Sequence, residues 1–337
     1  MKKKILTISI PTYNGSSTIG DMLSILLPQC DDRVEILICN NCSTDNTDKI
    51  IEDYIIKYPF IRYIENKRNI GPDSNFLLCM EEAGGKYTLL LSDDDILVEN
   101  SLKNLLDFLE QNEDLSLVYL NAVGFYEKYG GIGKCKKYNR AIYDNKNFVT
   151  NDKFLFMKYA GRMWGFLSCF ICLTEAFRSI ENTDQFKKTN WLQSYIHILC
   201  SEYGNKRLGV VGNITIAAGI YSIVSNFDSS QVDGVNYRKM LDFAISHGFD
   251  KKQLDDLFVW RICFVAKRAV VKERASGILK TDIKKLIKCT YKYPKAWVNL
   301  YPFIIAPRWL CKMAVKFNGR KKYSKKLQLN REGDIVG

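Results

Sequence analysis

In Tyr87-Thr88-Leu89-Leu90-Leu91-Ser92-Asp93-Asp94-Asp95, five residues suited to a buried strand run without a break into three consecutive carboxylates. Adjacent carboxylates repel one another, and a buried strand end tolerates that poorly unless a cation neutralises it. Oxygen-only ligands favour Mg2+ or Mn2+ over zinc. Working outward from this stretch, Leu6 to Ile10, Val34 to Cys39, Ile61 to Glu65 and Leu117 to Leu120 are further strand-length apolar runs. Between them Ile19 to Leu27, Asp48 to Tyr58, Asp73 to Ala83 and Ser101 to Glu110 repeat their apolar residues at helical spacing. This βαβα succession predicts an α/β fold with right-handed crossovers and a mainly parallel sheet covered by helices on both faces. Ligands bind outside the carboxyl ends of such strands, so function belongs in the loops that follow them.

Those loops are polar. They read Pro11-Thr12-Tyr13-Asn14-Gly15 after the first strand, Asn40-Asn41-Cys42-Ser43-Thr44-Asp45 after the second, and Asn69-Ile70-Gly71-Pro72-Asp73-Ser74-Asn75 before the third helix. Asn, Ser, Thr, Asp and Gly are also the residues that turns and helix caps use, and that ordinary use accounts for any one of these three loops alone. The acid loop is not explained that way.

The 337 residues are enough for one large domain or two unequal ones. Met1-Lys2-Lys3-Lys4 leads into an apolar run that stops at Pro11, too short for a secretory signal, and no stretch of about 20 apolar residues suggests a membrane span. A cytoplasmic protein is expected. Eleven cysteines without regular spacing suit buried thiols in a reducing compartment; the pairs Cys39/Cys42 and Cys169/Cys172 lack the context of a zinc or redox site. The net charge of +12 is unevenly spread. Residues 251–337 hold 22 Lys plus Arg against 6 Asp plus Glu, whereas residues 1–250 hold 27 against 31.

The combination Ser9-Ile10-Pro11-Thr12-Tyr13-Asn14, Asn40 to Asp45, Asn69-Ile70-Gly71-Pro72 and Leu91-Ser92-Asp93-Asp94-Asp95 resembles family 2 glycosyltransferases of the GT-A fold, in order and spacing, across about residues 4–125. The segment from Asn69 is similar to transferases that build bacterial O-antigen or capsular polysaccharide, the abequosyltransferase-like group among them. The resemblance implies a GT-A-type nucleotide-sugar-binding sheet and transfer from a nucleoside diphosphate sugar to a glycan hydroxyl, with inversion. It implies that Pro11, Thr12 and Tyr13 line the nucleoside pocket, joined by Asn14, Asn41, Ser43, Asn69, Asp73, Asn75 and Asp93 on the donor side. Asn40 stands where the family usually has an acid that contacts the base; an amide both donates and accepts, which leaves cytosine and thymine open beside uracil. Ser92 stands where many members have their first Asp. Asp94 is then the direct metal ligand, with Asp95 beside it, for Mn2+ or Mg2+.

The family's catalytic base is usually an Asp or Glu near a helix start, yet Lys188-Thr189-Asn190-Trp191-Leu192-Gln193 has no carboxylate. Asp184 and His197 are the two candidates, each with an ordinary alternative as a loop charge or a core histidine. Trp164 and Trp191 are read as acceptor-pocket walls, since aromatic faces suit sugar rings. The domain boundary is expected at 225, with a nucleotide-sugar half to about 125, an acceptor half over 126–225 and a basic, mainly helical region over 226–337. Its Lys and Arg interleaved with Trp260, Trp297, Tyr301 and Trp309 suit an anionic membrane surface, which would place the protein peripherally at the inner face where a lipid-linked acceptor waits. No nucleic-acid motif accompanies the charge, so nucleic acid is not an expected partner. Two other classes stay open: a non-catalytic nucleotide-sugar or carbohydrate-binding relative, and a basic membrane or nucleic-acid adaptor.

Overall fold

The computed structural model describes residues 4–126, 128–137, 145–220 and 228–317. It divides into two compact units, one of residues 1–222 with 243–250, the other of residues 223–242 with 251–337. The boundary expected at 225 and the tail beyond 317 lie outside the described residues.

Among the described residues the first unit is built on a ten-stranded sheet. Its strands are β1 (Leu6–Thr12), β2 (Val34–Asn40), β3 (Ile61–Glu65), β4 (Tyr87–Leu90), β5 (Ile96–Leu97), β6 (Leu115–Phe125), β7 (Lys136–Lys137), β8 (Phe148–Thr150), β9 (Phe170–Leu173) and β10 (Arg207–Gly219). The order is β3-β2-β1-β4-β9-β6-β10-β5, with β7 on β6 and β8 on β10. All seven residues of β1 are buried, as an interior parallel strand covered on both faces requires. The strands β1 to β4 are mutually parallel, and the crossovers between them are supplied by α1 (Ile19–Leu26), α2 (Thr47–Lys57) and α3 (Pro72–Glu81).

These helices follow their sequence signals. In α1 the buried residues Ile19, Met22, Leu23 and Leu26 form one apolar stripe. Gly71, at φ 84°, precedes Pro72 at the first position of α3, where a missing N–H costs nothing. The fourth helix, α4 (Ser101–Gln111), buries Leu102, Leu105, Leu106 and Leu109.

Beyond β4 the sheet is mixed. β9 enters antiparallel between β4 and β6, and β5, β7 and β8 are antiparallel to their neighbours, although β6 and β10 run parallel. The expectation of a mainly parallel sheet therefore holds for β1 to β4 and fails after them. Residues 167–169 form a 3-10 turn, and β9 begins directly after it at Phe170. Helices α5 (Lys153–Ala160), α6 (Thr174–Arg178) and α7 (Leu192–Cys200) complete the covering layers.

The second unit is helical. A π-helical stretch over Ser230–Asn236 runs into α8 (Tyr237–Ser246), whose last turn belongs to the first unit. Then come α9 (Lys251–Arg261), a π-helical turn over Ile262–Ala266, α10 (Lys267–Ser276), α11 (Ile283–Thr290), α12 (Pro294–Asn299), α13 (Tyr301–Ile305) and a helix over residues 308–317. Arg261 pairs with the buried Asp233 at 2.8 Å. No helix among the described residues is long and apolar enough to cross a membrane.

Candidate active site

Because β1 to β4 are parallel, Thr12, Asn40, Glu65 and Leu90 end on one edge of the sheet. Thr12 Oγ1 donates a 2.5 Å hydrogen bond to Asp93 Oδ2, tying the first loop to the acid loop. A methyl group on Gly15 would overlap both of those oxygens, so only glycine permits this approach. Asn14 adopts φ 55°; its Oδ1 accepts from the Thr44 amide at 2.7 Å while its own amide donates to Ser43 Oγ at 2.9 Å. Tyr13 projects half-exposed beside them.

Amide side chains join the second and third loops. Asn40 is fully buried: its Nδ2 donates to Asp48 Oδ1 and to Tyr63 OH, and its Oδ1 accepts from the Ser43 amide and hydroxyl. All its bonding capacity is used inside the protein, so it supports the pocket and does not read the base as the sequence suggested. Asn41 donates to Asn69 Oδ1 at 3.0 Å and accepts from Asn66 Nδ2 and the Ile70 amide. Asn75 accepts from Asn66 and donates to the Cys39 carbonyl at 3.0 Å. Asp73 Oδ2 accepts from the Lys188 amide at 2.6 Å, which brings the 188–190 turn to the start of α3.

The three consecutive acids occupy three environments. Asp94 is partly exposed and accepts from Ser92 Oγ at 2.5 Å. Burial, reinforced by the Asp94 charge and opposed by the Thr12 hydrogen bond, pushes Asp93 up to about 6. Asp95 is buried, accepting from Ser168 Oγ at 2.6 Å on one oxygen and from the Gly219 amide at 3.0 Å on the other; burial and then the Asp94 charge raise it to about 7. Asp95 thus anchors the acid loop to β10 and to the turn before β9, which argues against the metal-ligand role expected for it.

The metal expected from the sequence can be tested on these residues. Among those described, no three His, Cys, Asp or Glu side chains converge on one point. Two partly exposed carboxylates, Asp93 and Asp94, remain, the first with its pKa raised by burial. That donor set fits Mg2+ or Mn2+, which bind through one or two carboxylates and complete their shell with phosphate oxygens and water.

The acceptor side departs further from expectation. His197 is buried, stacked on Phe170 with centroids 4.5 Å apart, and burial depresses it to about 3. A base must reach its substrate, and this imidazole is a core residue. Asp184 is exposed and paired with Lys187 at 2.7 Å. Trp164 and Trp191 are both buried, Trp164 against Phe249 and Trp191 over Gly165, where its ring leaves no room for a Cβ. They are core packing in this structure and not open pocket walls. Sequence reasoning missed Ser168, Asp48, Tyr63 and Asn66. Ser168 had a signal, as the one hydroxyl within Phe166 to Leu173.

A parallel strand edge closed by an acid loop and followed by antiparallel strands is the architecture of GT-A nucleotide-sugar transferases. Residues 7–169 match the family described as glycosyl transferase family 2. The abequosyltransferase RfbV of Salmonella typhimurium is 34% identical over 116 residues, covering 34% of this chain and 35% of that protein. The chondroitin synthase of Escherichia coli is 28% identical over 201 residues, covering 58% of this chain and 28% of that one. The chain thus spans about a third of the first of these relatives and less of the second. The fold is shared with S. aureus TarS 1-349 in complex with UDP-GlcNAc, at a TM-score of 0.62 and 13% identity over 85% of this chain and 79% of that one. Its complex with UDP gives 0.60 and 14% over 99% and 93%.

Proposed function

We propose that the chain transfers a sugar from a nucleoside diphosphate sugar to a hydroxyl of a glycan acceptor. The observation that carries this reading is the paired placement of Asp93 and Asp94 on the strand edge, with Thr12 fixing one and Ser92 the other. A divalent cation bound there supplies the positive charge that a departing nucleoside diphosphate requires. Asp94 is the direct ligand, and Asp93, oriented by Thr12, takes the second position. Tyr13, open at the end of β1, offers a ring for the base to stack on, over loops held rigid by the amides of Asn40, Asn41, Asn66 and Asn75.

The acceptor hydroxyl is barely acidic, so a carboxylate must take its proton as the glycosidic bond forms. Asp184 is the remaining candidate of the two, because its carboxylate reaches solvent. The reaction is a single displacement with inversion. A lipid-linked acceptor in cell-surface polysaccharide synthesis, met at the inner face of the membrane, agrees with the likeness to an abequosyltransferase and with the basic C-terminal region.

The test is a thermal-shift panel of UDP-, GDP-, CDP- and dTDP-sugars with and without Mn2+, followed by donor hydrolysis with the best of them. Stabilisation by one donor class that depends on Mn2+, with slow hydrolysis, is the expected result. No stabilisation by any donor would sink the reading.

A further inference from the structure

We infer that residues 291–317 form an interfacial anchor that inserts aromatic and aliphatic side chains into the headgroup layer of an anionic bilayer. Between Asp282 and Glu332 the sequence has fourteen Lys and Arg and no acidic residue, and eight of those cations lie within 283–317. In a well-mixed surface such a run would carry compensating carboxylates. The same stretch exposes Trp297, Val298 (75%), Ile305 (81%), Trp309 (62%), Met313 and Phe317 (59%), large apolar side chains that a chain ending its business in water would bury.

The helix over residues 308–317 shows how the two properties are arranged. Cys311 and Ala314 face inward and pack with Val271, Ala275, Phe303 and Ala306. Trp309, Met313 and Phe317, spaced by four, form an outward stripe with Leu310 beside it. Arg308, Lys312 and Lys316, also spaced by four, form the flank next to that stripe. Arg308 additionally caps the end of α10 through the Ala275 and Ser276 carbonyls, which fixes the helix start. The helix therefore has a core side, an apolar outer stripe and a cationic edge, the division an in-plane interfacial helix needs. Lys312 and Lys316 reach headgroups while the stripe lies below them.

The exposed aliphatic residues decide between anionic partners. A nucleic acid would satisfy the cations and leave Val298, Ile305, Leu310 and Met313 in water, whereas a bilayer covers both. The inference rests on the proposed function only in supposing a membrane-borne acceptor.

The experiment is sedimentation of the full chain with phosphatidylcholine vesicles and with vesicles of phosphatidylcholine mixed with phosphatidylglycerol, at rising salt. Trp309→Ser/Phe317→Ser, Lys312→Glu/Lys316→Glu and the control Ile56→Ser, an exposed apolar residue of the first unit, are compared, with melting curves confirming folding. The expected result is partition into the anionic vesicles alone, lowered at least about tenfold by either double variant and unchanged in the control. Quenching of tryptophan fluorescence by brominated lipid should fall in the Trp309 variant. Absence of partition, partition indifferent to both double variants, or tighter binding to a single-stranded RNA oligomer than to the vesicles would overturn the inference. Donor binding is measured in vesicle-free solution, so its failure would bear on the transferase reading and not on the anchor.

Discussion

Thr12 Oγ1 and Asp93 Oδ2, 81 residues apart in sequence, meet at 2.5 Å and join the end of β1 to the acid loop after β4. A hydroxyl that donates to a carboxylate selects one of its rotamers and favours its charged form. Thr12→Val keeps the shape and removes the donor. Mn2+-dependent donor affinity should fall about tenfold, the size of one hydrogen bond to a charged group in a partly exposed site, with little loss of melting temperature. Titration of the best donor against wild type and variant by calorimetry checks this.

Asp94 is the ligand whose loss should be felt most. Asp94→Asn removes the charge that raises the neighbouring Asp93 and Asp95 carboxyls, so the fold should be kept or slightly stabilised while metal-dependent donor binding and turnover largely disappear. Turnover equal to wild type at saturating Mn2+ would take the metal away from this residue.

The parts of the fold that were legible are those governed by local pattern. The buried run of β1 and the stripe of Ile19, Met22, Leu23 and Leu26 carry their periods in the chain itself. The insertion of β9 between β4 and β6 was not legible, because strand order depends on which distant segment best covers a sheet edge. The same division holds in the site. Thr12, Asp93 and Asp94 sit in loops that announce themselves by composition, whereas the burial of His197, Trp164 and Trp191 depends on tertiary packing that residue type does not reveal. Asp95 is the instructive case, since adjacency to two accessible acids suggested a ligand while Ser168 and Gly219 hold it inward.

The base assignment separates cleanly in two variants. Asp184→Asn should lower turnover by about a hundredfold or more with donor affinity unchanged, the effect of losing proton acceptance alone. His197→Gln should instead lower the melting temperature by disturbing the stack on Phe170, with the turnover of the surviving folded protein near normal. Near-normal turnover in Asp184→Asn would move the proton acceptor elsewhere.

Asn40 is an amide because it must donate. Its Nδ2 meets Asp48 Oδ1, and a carboxylate at position 40 would face that oxygen without a proton to share. Asn40→Asp should destabilise the fold by about 1–3 kcal/mol through an unpaired buried acceptor and like-charge repulsion. The double variant Asn40→Asp/Asp48→Asn, which restores one donor between the two positions, should recover part of that loss in denaturant melts.

Asp95 makes the fold sensitive to pH in a direction opposite to a salt-bridged acid. Burial and the neighbouring Asp94 charge raise its carboxyl from the ordinary 3.8 to about 7, so the folded chain holds this proton more tightly than the unfolded chain does. Stability from this group is therefore fully present below about 4 and lost as pH rises toward 7. Other groups titrate in the same window, so the informative quantity is the difference between wild type and Asp95→Asn. The amide fits the site: its oxygen can accept from Gly219 and its NH2 can donate to Ser168 Oγ. In EDTA, the melting temperature of wild type relative to Asp95→Asn should decline between about pH 4 and pH 7, the window between the ordinary carboxyl value and the raised one, and level off above it. Mn2+ should reduce that decline, because a cation on Asp93 and Asp94 cancels the charge that opposes ionisation of Asp95. A flat difference across this range would mean that Asp95 is ionised throughout, and that Ser168 and Gly219 offset its burial in full.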